Sequence, residues 1–196
     1  MPKVVDHDER RVRIAHALLD VVRRDGVGAV SVRSVAAAAD LSTGSLRNTF
    51  PSRAGLVGFA MTAVAERVTA RVEARAAQGA TDVEGLTDLC CEVLPLDAER
   101  LAEAEVWMEL VVLGRTDAAL RERSVATHEA LGRFCAGVVT HLRPGPVRDV
   151  ASDAAGLHAM LDGLALHAVL HPDRFDTGRA REAVRDHLAA LARGRG

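Results

Sequence analysis

A chain of 196 residues that is 48% hydrophobic, 27% charged and only 3% aromatic can bury a core but has few large aromatic anchors, which excludes disordered, collagen-like and fibrous classes. Its net charge of -2 conceals an asymmetry: residues 1–60 hold nine basic side chains against six acidic ones, a local +3, and the remainder carries -5. A polyanion is therefore drawn to the first part and repelled by the second. No apolar run approaches the roughly 18–20 residues needed to span a bilayer. The opening Met1-Pro2-Lys3-Val4-Val5-Asp6-His7-Asp8-Glu9 lacks the apolar stretch of a signal peptide, so a soluble, cytoplasmic chain without a membrane partner is expected. Cys90, Cys91 and Cys135 are odd in number, with the first two adjacent, and read as reduced, buried small hydrophobes.

In chain order, Ile14, Ala17, Leu18, Val21 and Val22 form the stripe of an amphipathic helix over about residues 8–25, with Gly26 as its stop. Ser31 offers an N-cap for a two-turn helix from Val32 to Ala39, which Asp40-Leu41-Ser42 interrupts. Ser42 or Thr43 caps the next short helix, which ends at Phe50-Pro51, and Ser52 caps a long one from Ala54 to about Arg75. Val57, Met61, Val64, Val68 and Val72 give that helix one apolar line. Further helices are expected over about 82–93, 97–114, 117–142, 147–170 and 177–192, separated by Pro95, Gly114 to Asp117, Pro144-Gly145-Pro146, and Pro172 with Gly178. The fold class is all-α, about nine helices, with no alternating strand pattern. A basic three-helix unit over 1–53 leads into a helical body over 54–196.

The stretch 31–50 is the most informative. Val35, Ala36, Ala39, Leu41, Leu46 and Phe50 supply packing points for two short helices that cross at a three-residue turn, and the small Ala36 and Ala39 permit close approach. This is helix-turn-helix geometry. The outward side of the second helix carries Thr43, Ser45, Arg47, Asn48 and Thr49, short donors and acceptors of the kind that read base edges and phosphates. Pro51-Ser52-Arg53 follows, where a helix N-terminus and an Arg can hold a phosphate. Phe50 reads as a core plug rather than a wedge between base steps. Lys3, Arg10 and Arg11 offer charge for a minor-groove arm that Asp6, Asp8 and Glu9 dilute.

The first helix, then Ser31-Val32-Arg33, Leu41-Ser42-Thr43-Gly44-Ser45-Leu46 and Phe50-Pro51-Ser52-Arg53-Ala54-Gly55-Leu56, resemble the N-terminal signature of the TetR-type transcriptional repressors. The opening residues, Ser42 to Arg47 and the late Asp162-Gly163-Leu164-Ala165-Leu166-His167 are similar to the subgroup that includes the betaine-pathway repressor. The resemblance implies a recognition helix over 43–49, with Thr43, Gly44, Ser45 and Asn48 nearest the bases. It implies phosphate contacts from Ser31, Arg33, Ser42, Arg47, Thr49 and Arg53. Three positions depart from the family pattern: Arg47 stands where Tyr is usual, Thr49 where His is frequent, and Asp40 where a turn Gly is common.

The resemblance further implies a homodimer on a pseudo-palindromic DNA operator and a small-molecule effector whose binding tilts the long helix from Ala54. Candidate pocket residues are Met61, Cys90, Trp107, Met108, Val111, His128 and Phe134, with Glu105 or Glu109 beside the sole Trp suited to a cationic ligand. Candidate dimer residues are Leu157, Leu161 and Leu164 on one helix and Val184, Leu188 and Leu191 on the next. The rival class is an α-helical enzyme or a metal- or ligand-binding protein, for which His158, Asp162, His167 and His171 speak most. His167 and His171 have a metal-capable i, i+4 spacing, but they precede Pro172 at a helix end, where histidine is an ordinary C-terminal residue. No Gly-rich phosphate loop, serine elbow or base partner for a cysteine is apparent, so no metal, cofactor or catalytic residue is expected.

Overall fold

A computed structural model describes residues 3–142 and 147–194; the break expected at Pro144-Gly145-Pro146, the opening Met1-Pro2 and the side chains of residues 3–8 and 147–149 lie outside the description. Among the described residues there are nine α-helices and no strand: α1 (Lys3–Asp25), α2 (Val32–Ala38), α3 (Thr43–Thr49), α4 (Arg53–Ala76), α5 (Val83–Cys91), α6 (Ala98–Leu113), α7 (Ala118–Leu142), α8 (Val147–Leu170) and α9 (Thr177–Arg193). Short 3-10 turns at Val27–Ala29 and Pro172–Arg174 complete the chain path. No described helix is long and apolar enough to cross a membrane.

Two compact units divide the chain. The first comprises Met1–Glu66 and Asp97–Ser124, the second Arg67–Leu96 and Val125–Gly196. The helix-turn-helix segment thus belongs to a larger body that also includes α6 and the first part of α4.

Within the first unit, the α1 stripe is buried as its spacing demands: Ile14, Ala17, Leu18, Val21 and Val22 all lie in the core with Val30, Val35, Ala36, Leu46, Leu56, Val57, Val106 and Leu110. Gly26 ends α1 with φ 78°, a left-handed conformation that a side chain adopts only with strain, and its N–H closes on the Val22 carbonyl at 2.8 Å. Helix α1 packs on α2 and on α6, and α2 packs on α3. Each fully buried Val, Leu or Ile here contributes about 1.5–3 kcal/mol of transfer free energy.

In the second unit one cluster joins Leu86, Cys90 and Leu94 to Cys135, Val138 and Val139 of α7, Leu157 and Leu161 of α8, and Val184, Leu188 and Leu191 of α9. This corrects the expected dimer surface. Leu157, Leu161, Val184 and Leu188 have 0–1% exposure and Leu191 8%, so these side chains fill the protomer's own core, while Leu164 packs half-buried on the same cluster and keeps a partly open face. The outward face of α8 is instead lined by Ala151, Ser152, Ala155, Gly156 and Ala159, with Leu170 56% exposed near its end. Arg75 of α4 pairs with Asp88, and Arg181 of α9 bonds to both Glu84 and Asp88, fastening α9 to α5 at the unit's surface.

Candidate nucleic-acid interface

The turn between α2 and α3 is built by backbone closure. Ser31 caps α2 in a reciprocal box with Ser34: each hydroxyl accepts from the other residue's N–H, at 3.0 and 2.9 Å. At the other end Asp40 has φ 51°, and the Leu41 N–H reaches back to the Ala36 carbonyl at 2.9 Å, the wrap-around bond of a Schellman stop. Asp fills a left-handed position usually given to Gly, at a modest steric cost. Ser42 then caps α3 by accepting from the Ser45 N–H at 3.1 Å. A seven-residue helix is too short to persist alone, so these caps and the buried Leu46 are what hold α3 in place.

Leu46 is the one buried residue of α3, and the rest of the helix turns polar groups outward. Thr43, Gly44, Arg47, Asn48 and Thr49 are all exposed, and a Cβ at Gly44 would meet nothing within 4 Å, leaving a smooth backbone at the helix start. Arg33 stands exposed on α2. Phe50 is half-buried with its ring 4.9 Å from that of Phe59, a packing role as its sequence position suggests.

Several sequence expectations need revision here. Ser45 is half-buried and its hydroxyl accepts from the Arg10 guanidinium at 2.8 Å, so it also ties α3 to α1. Arg10 and Arg11 lie within α1, with Arg11 5.2 Å over the Phe59 ring, so they brace the unit from a helix instead of extending as an arm. Ser31 and Ser42 are exposed, but their hydroxyls already serve as caps.

Arg53 departs furthest from expectation. Its guanidinium donates to the Val30 carbonyl at 3.1 Å and the Val27 carbonyl at 2.8 Å, and pairs with Glu109 of α6. With three guanidinium N–H groups engaged inside the unit and the side chain 35% exposed, Arg53 staples the Val27–Ala29 turn to α6, which leaves it less free than expected for phosphate. Glu105, one turn before Glu109, accepts from the Val27 N–H at 3.1 Å; burial pushes its carboxyl up, and that hydrogen bond opposes the shift. Both carboxylates thus hold the Val27–Ala29 turn and Arg53 rather than awaiting a cationic ligand. Neither tie was legible in the sequence, because 78 and 56 residues separate the partners.

The expected effector residues divide between the units. Met61, buried, and Trp107 and Met108, half-buried, belong to the first, where Val111 is 36% exposed and lines no interior. Cys90 and Phe134 join the core cluster of the second. Burial pushes the Cys90 thiol far up and the Cys135 thiol to about 12, so both behave as inert hydrophobes. His128 is exposed and stacks on His158, with ring centroids 4.4 Å apart, and Asp162 lies beside them. Sequence alone separated this trio, since His128 lies on α7 and the others on α8. The i, i+4 pair His167 and His171 lies on or just past the end of α8, with both side chains exposed and the His171 N–H bonded to the His167 carbonyl.

The described residues are helical throughout their regular structure, and the capped, polar-faced α3 sits in the helix-turn-helix arrangement that DNA-binding regulators use. The particular family follows from comparison. The profile of the BetI-type transcriptional repressor C-terminal domain matches residues 82–193. The HTH-type transcriptional regulator PksA of Bacillus subtilis is 31% identical over 97% of this chain and 94% of its own length. A transcriptional regulator from Rhodococcus sp. RHA1 superposes with a TM-score of 0.80 at 27% identity, covering 94% of this chain and 96% of that one. The multidrug binding protein EbrR, solved with ethidium, gives a TM-score of 0.64 at 30% identity over 91% of this chain and 98% of that one. The chain belongs to the TetR family of transcription regulators, and its body is of the BetI type. That membership places it among gene regulators and not among enzymes.

Proposed function

We propose that the protein is a repressor that binds a pseudo-palindromic operator as a homodimer through α3 and is released by a small organic effector. The observation that carries this reading is the exposed polar row of α3, Thr43, Arg47, Asn48 and Thr49 around the open Gly44, set on a helix whose only buried side chain is Leu46. Asn48 is the residue best suited to a bidentate contact with adenine, and Arg47 to guanine or to phosphate. Arg33, Arg47 and Thr49 supply the backbone contacts. Ser31 and Ser42 contribute mainly by presenting helix N-termini to phosphate.

Two copies of a short recognition helix read successive major grooves when held about 34–36 Å apart, which calls for a two-fold dimer. The outward face of α8 suits that role: its small Ala151, Ala155, Gly156 and Ala159 allow close helix approach, and Leu170 is exposed at its end. The effector half of the proposal is supported by the ethidium complex of EbrR, which has the same architecture. Within the first unit, α6 is the element suited to transmit such a signal, because Glu105 and Glu109 attach it to the Val27–Ala29 turn and to Arg53. To weaken the operator complex a hundredfold, the effector must favour the non-binding arrangement by about 2.7 kcal/mol.

Footprinting on the DNA upstream of the protein's own gene, with the stoichiometry read by sedimentation, tests the proposal. Two or an even number of protomers on a symmetric protected site support it. One protomer per site, or protection without symmetry, would reject the dimeric reading.

A further inference from the structure

His128 of α7 and His158 and Asp162 of α8 bring three ligand atoms within 4.8 Å of one another, all in the second unit. His158 is 9% exposed, and its Nε2 is buried without a hydrogen-bond partner. Oδ2 of Asp162 lies 3.4 Å from it, longer than the 2.7–3.2 Å typical of an N–H···O bond. Two ligands on one tetrahedral ion with bonds of about 2.0–2.1 Å are separated by about 3.3 Å, so that spacing is the edge of a coordination tetrahedron. His128 is exposed, which gives an ion a path from solvent to the trio.

The local architecture explains why the rings can gather. His158 lies against α7 at Gly132, where a Cβ would sit 3.6 Å from its Nδ1, and Gly132 is one turn along from His128. The i, i+4 spacing of His158 and Asp162 points both along one side of α8. Among the described residues no guanidinium pairs with Asp162. Burial raises its carboxyl while the two histidines pull it back. A half-buried carboxylate beside two imidazoles, without a fixed cation, is a donor set for a borderline divalent ion.

We infer that His128, His158 and Asp162 form a binding site for one first-row divalent ion such as Zn2+ or Co2+, with a coordination position left open to water or a small ligand. The inference stands on α7 and α8 alone and is independent of which DNA the protein reads.

The test uses tag-free full-length protein stripped with chelator and titrated with Co2+. The expected result is visible ligand-field absorption saturating at one ion per chain and abolished by added Zn2+. His128→Ala lowers the affinity by about tenfold or more. Because His128 is exposed, its variant keeps the wild-type unfolding midpoint in metal-free buffer. Asp162→Asn, which preserves shape, weakens binding similarly, and His171→Ala leaves it intact. Absence of a saturable Co2+ spectrum in the wild type, or wild-type binding by His128→Ala, overturns the site. Loss of binding in His171→Ala with retention in His128→Ala overturns it as well.

Discussion

Helix α3 and helix α8 are both amphipathic, yet they are held in opposite ways. Helix α3 has seven residues, a Ser42 cap, an Arg10 brace on Ser45 and a single buried Leu46, and it leaves most of its side chains exposed. Helix α8 has twenty-four residues and sinks Leu157 and Leu161 into a cluster shared with α5, α7 and α9. The difference teaches that, on the proposed reading, contacting DNA and staying folded are assigned to different atoms. The outward groups of α3 can be changed without touching the core, whereas the leucines of α8 cannot.

The largest expected effect breaks the body. Leu157→Ala removes a side chain with 0% exposure and lowers stability by about 2–5 kcal/mol, seen as a fall in the thermal unfolding midpoint. A variant that unfolds normally but dissociates into monomers would return Leu157 to the dimer interface.

Arg53→Ala comes next. It leaves the Val27 and Val30 carbonyls and the half-buried Glu109 without their donor, at about 1–3 kcal/mol of stability. The salt dependence of DNA binding should keep its slope, because no phosphate contact is lost. A slope flattened by about one unit would restore Arg53 to the phosphate set.

Asn48→Ala sharpens the comparison from the other side. It lowers specific binding by about 1–3 kcal/mol and leaves the unfolding midpoint and nonspecific binding unchanged. Equal losses on specific and scrambled duplex would remove Asn48 from the base-reading set.

A smaller effect is expected at the turn. Asp40→Gly relieves the left-handed φ of 51° and raises stability by about 1 kcal/mol, measurable by urea titration. Loss of stability would mean that the Asp40 side chain supports the turn in some other way.

The helices themselves were legible because caps and breakers are local: Ser31, Ser42, Ser52, Gly26 and Pro172 punctuate the chain where the structure does. The α1 stripe and the packing points Val35, Ala36 and Leu46 were legible for the same reason. Periodicity reports that Leu157, Leu161, Val184 and Leu188 are covered, but not what covers them, so it does not separate a protomer's core from an interface. Residue type was equally ambiguous at Arg53, where a guanidinium suits phosphate and carbonyl alike and only the fold, which brings Glu109 across 56 residues, shows the partners it takes within the protomer. The gathering of His128 with His158 and Asp162 was likewise out of reach, since it depends on how α7 lies against α8.

The central claim, that α3 of this TetR-family chain reads a specific DNA sequence, is tested most directly by fluorescence anisotropy. The purified protein is titrated onto the duplex upstream of its own gene and onto a scrambled duplex, at two salt concentrations. The account predicts tight, salt-sensitive binding that prefers the upstream duplex, with the preference lost in Asn48→Ala. Equal weak binding to both duplexes at either salt would contradict it.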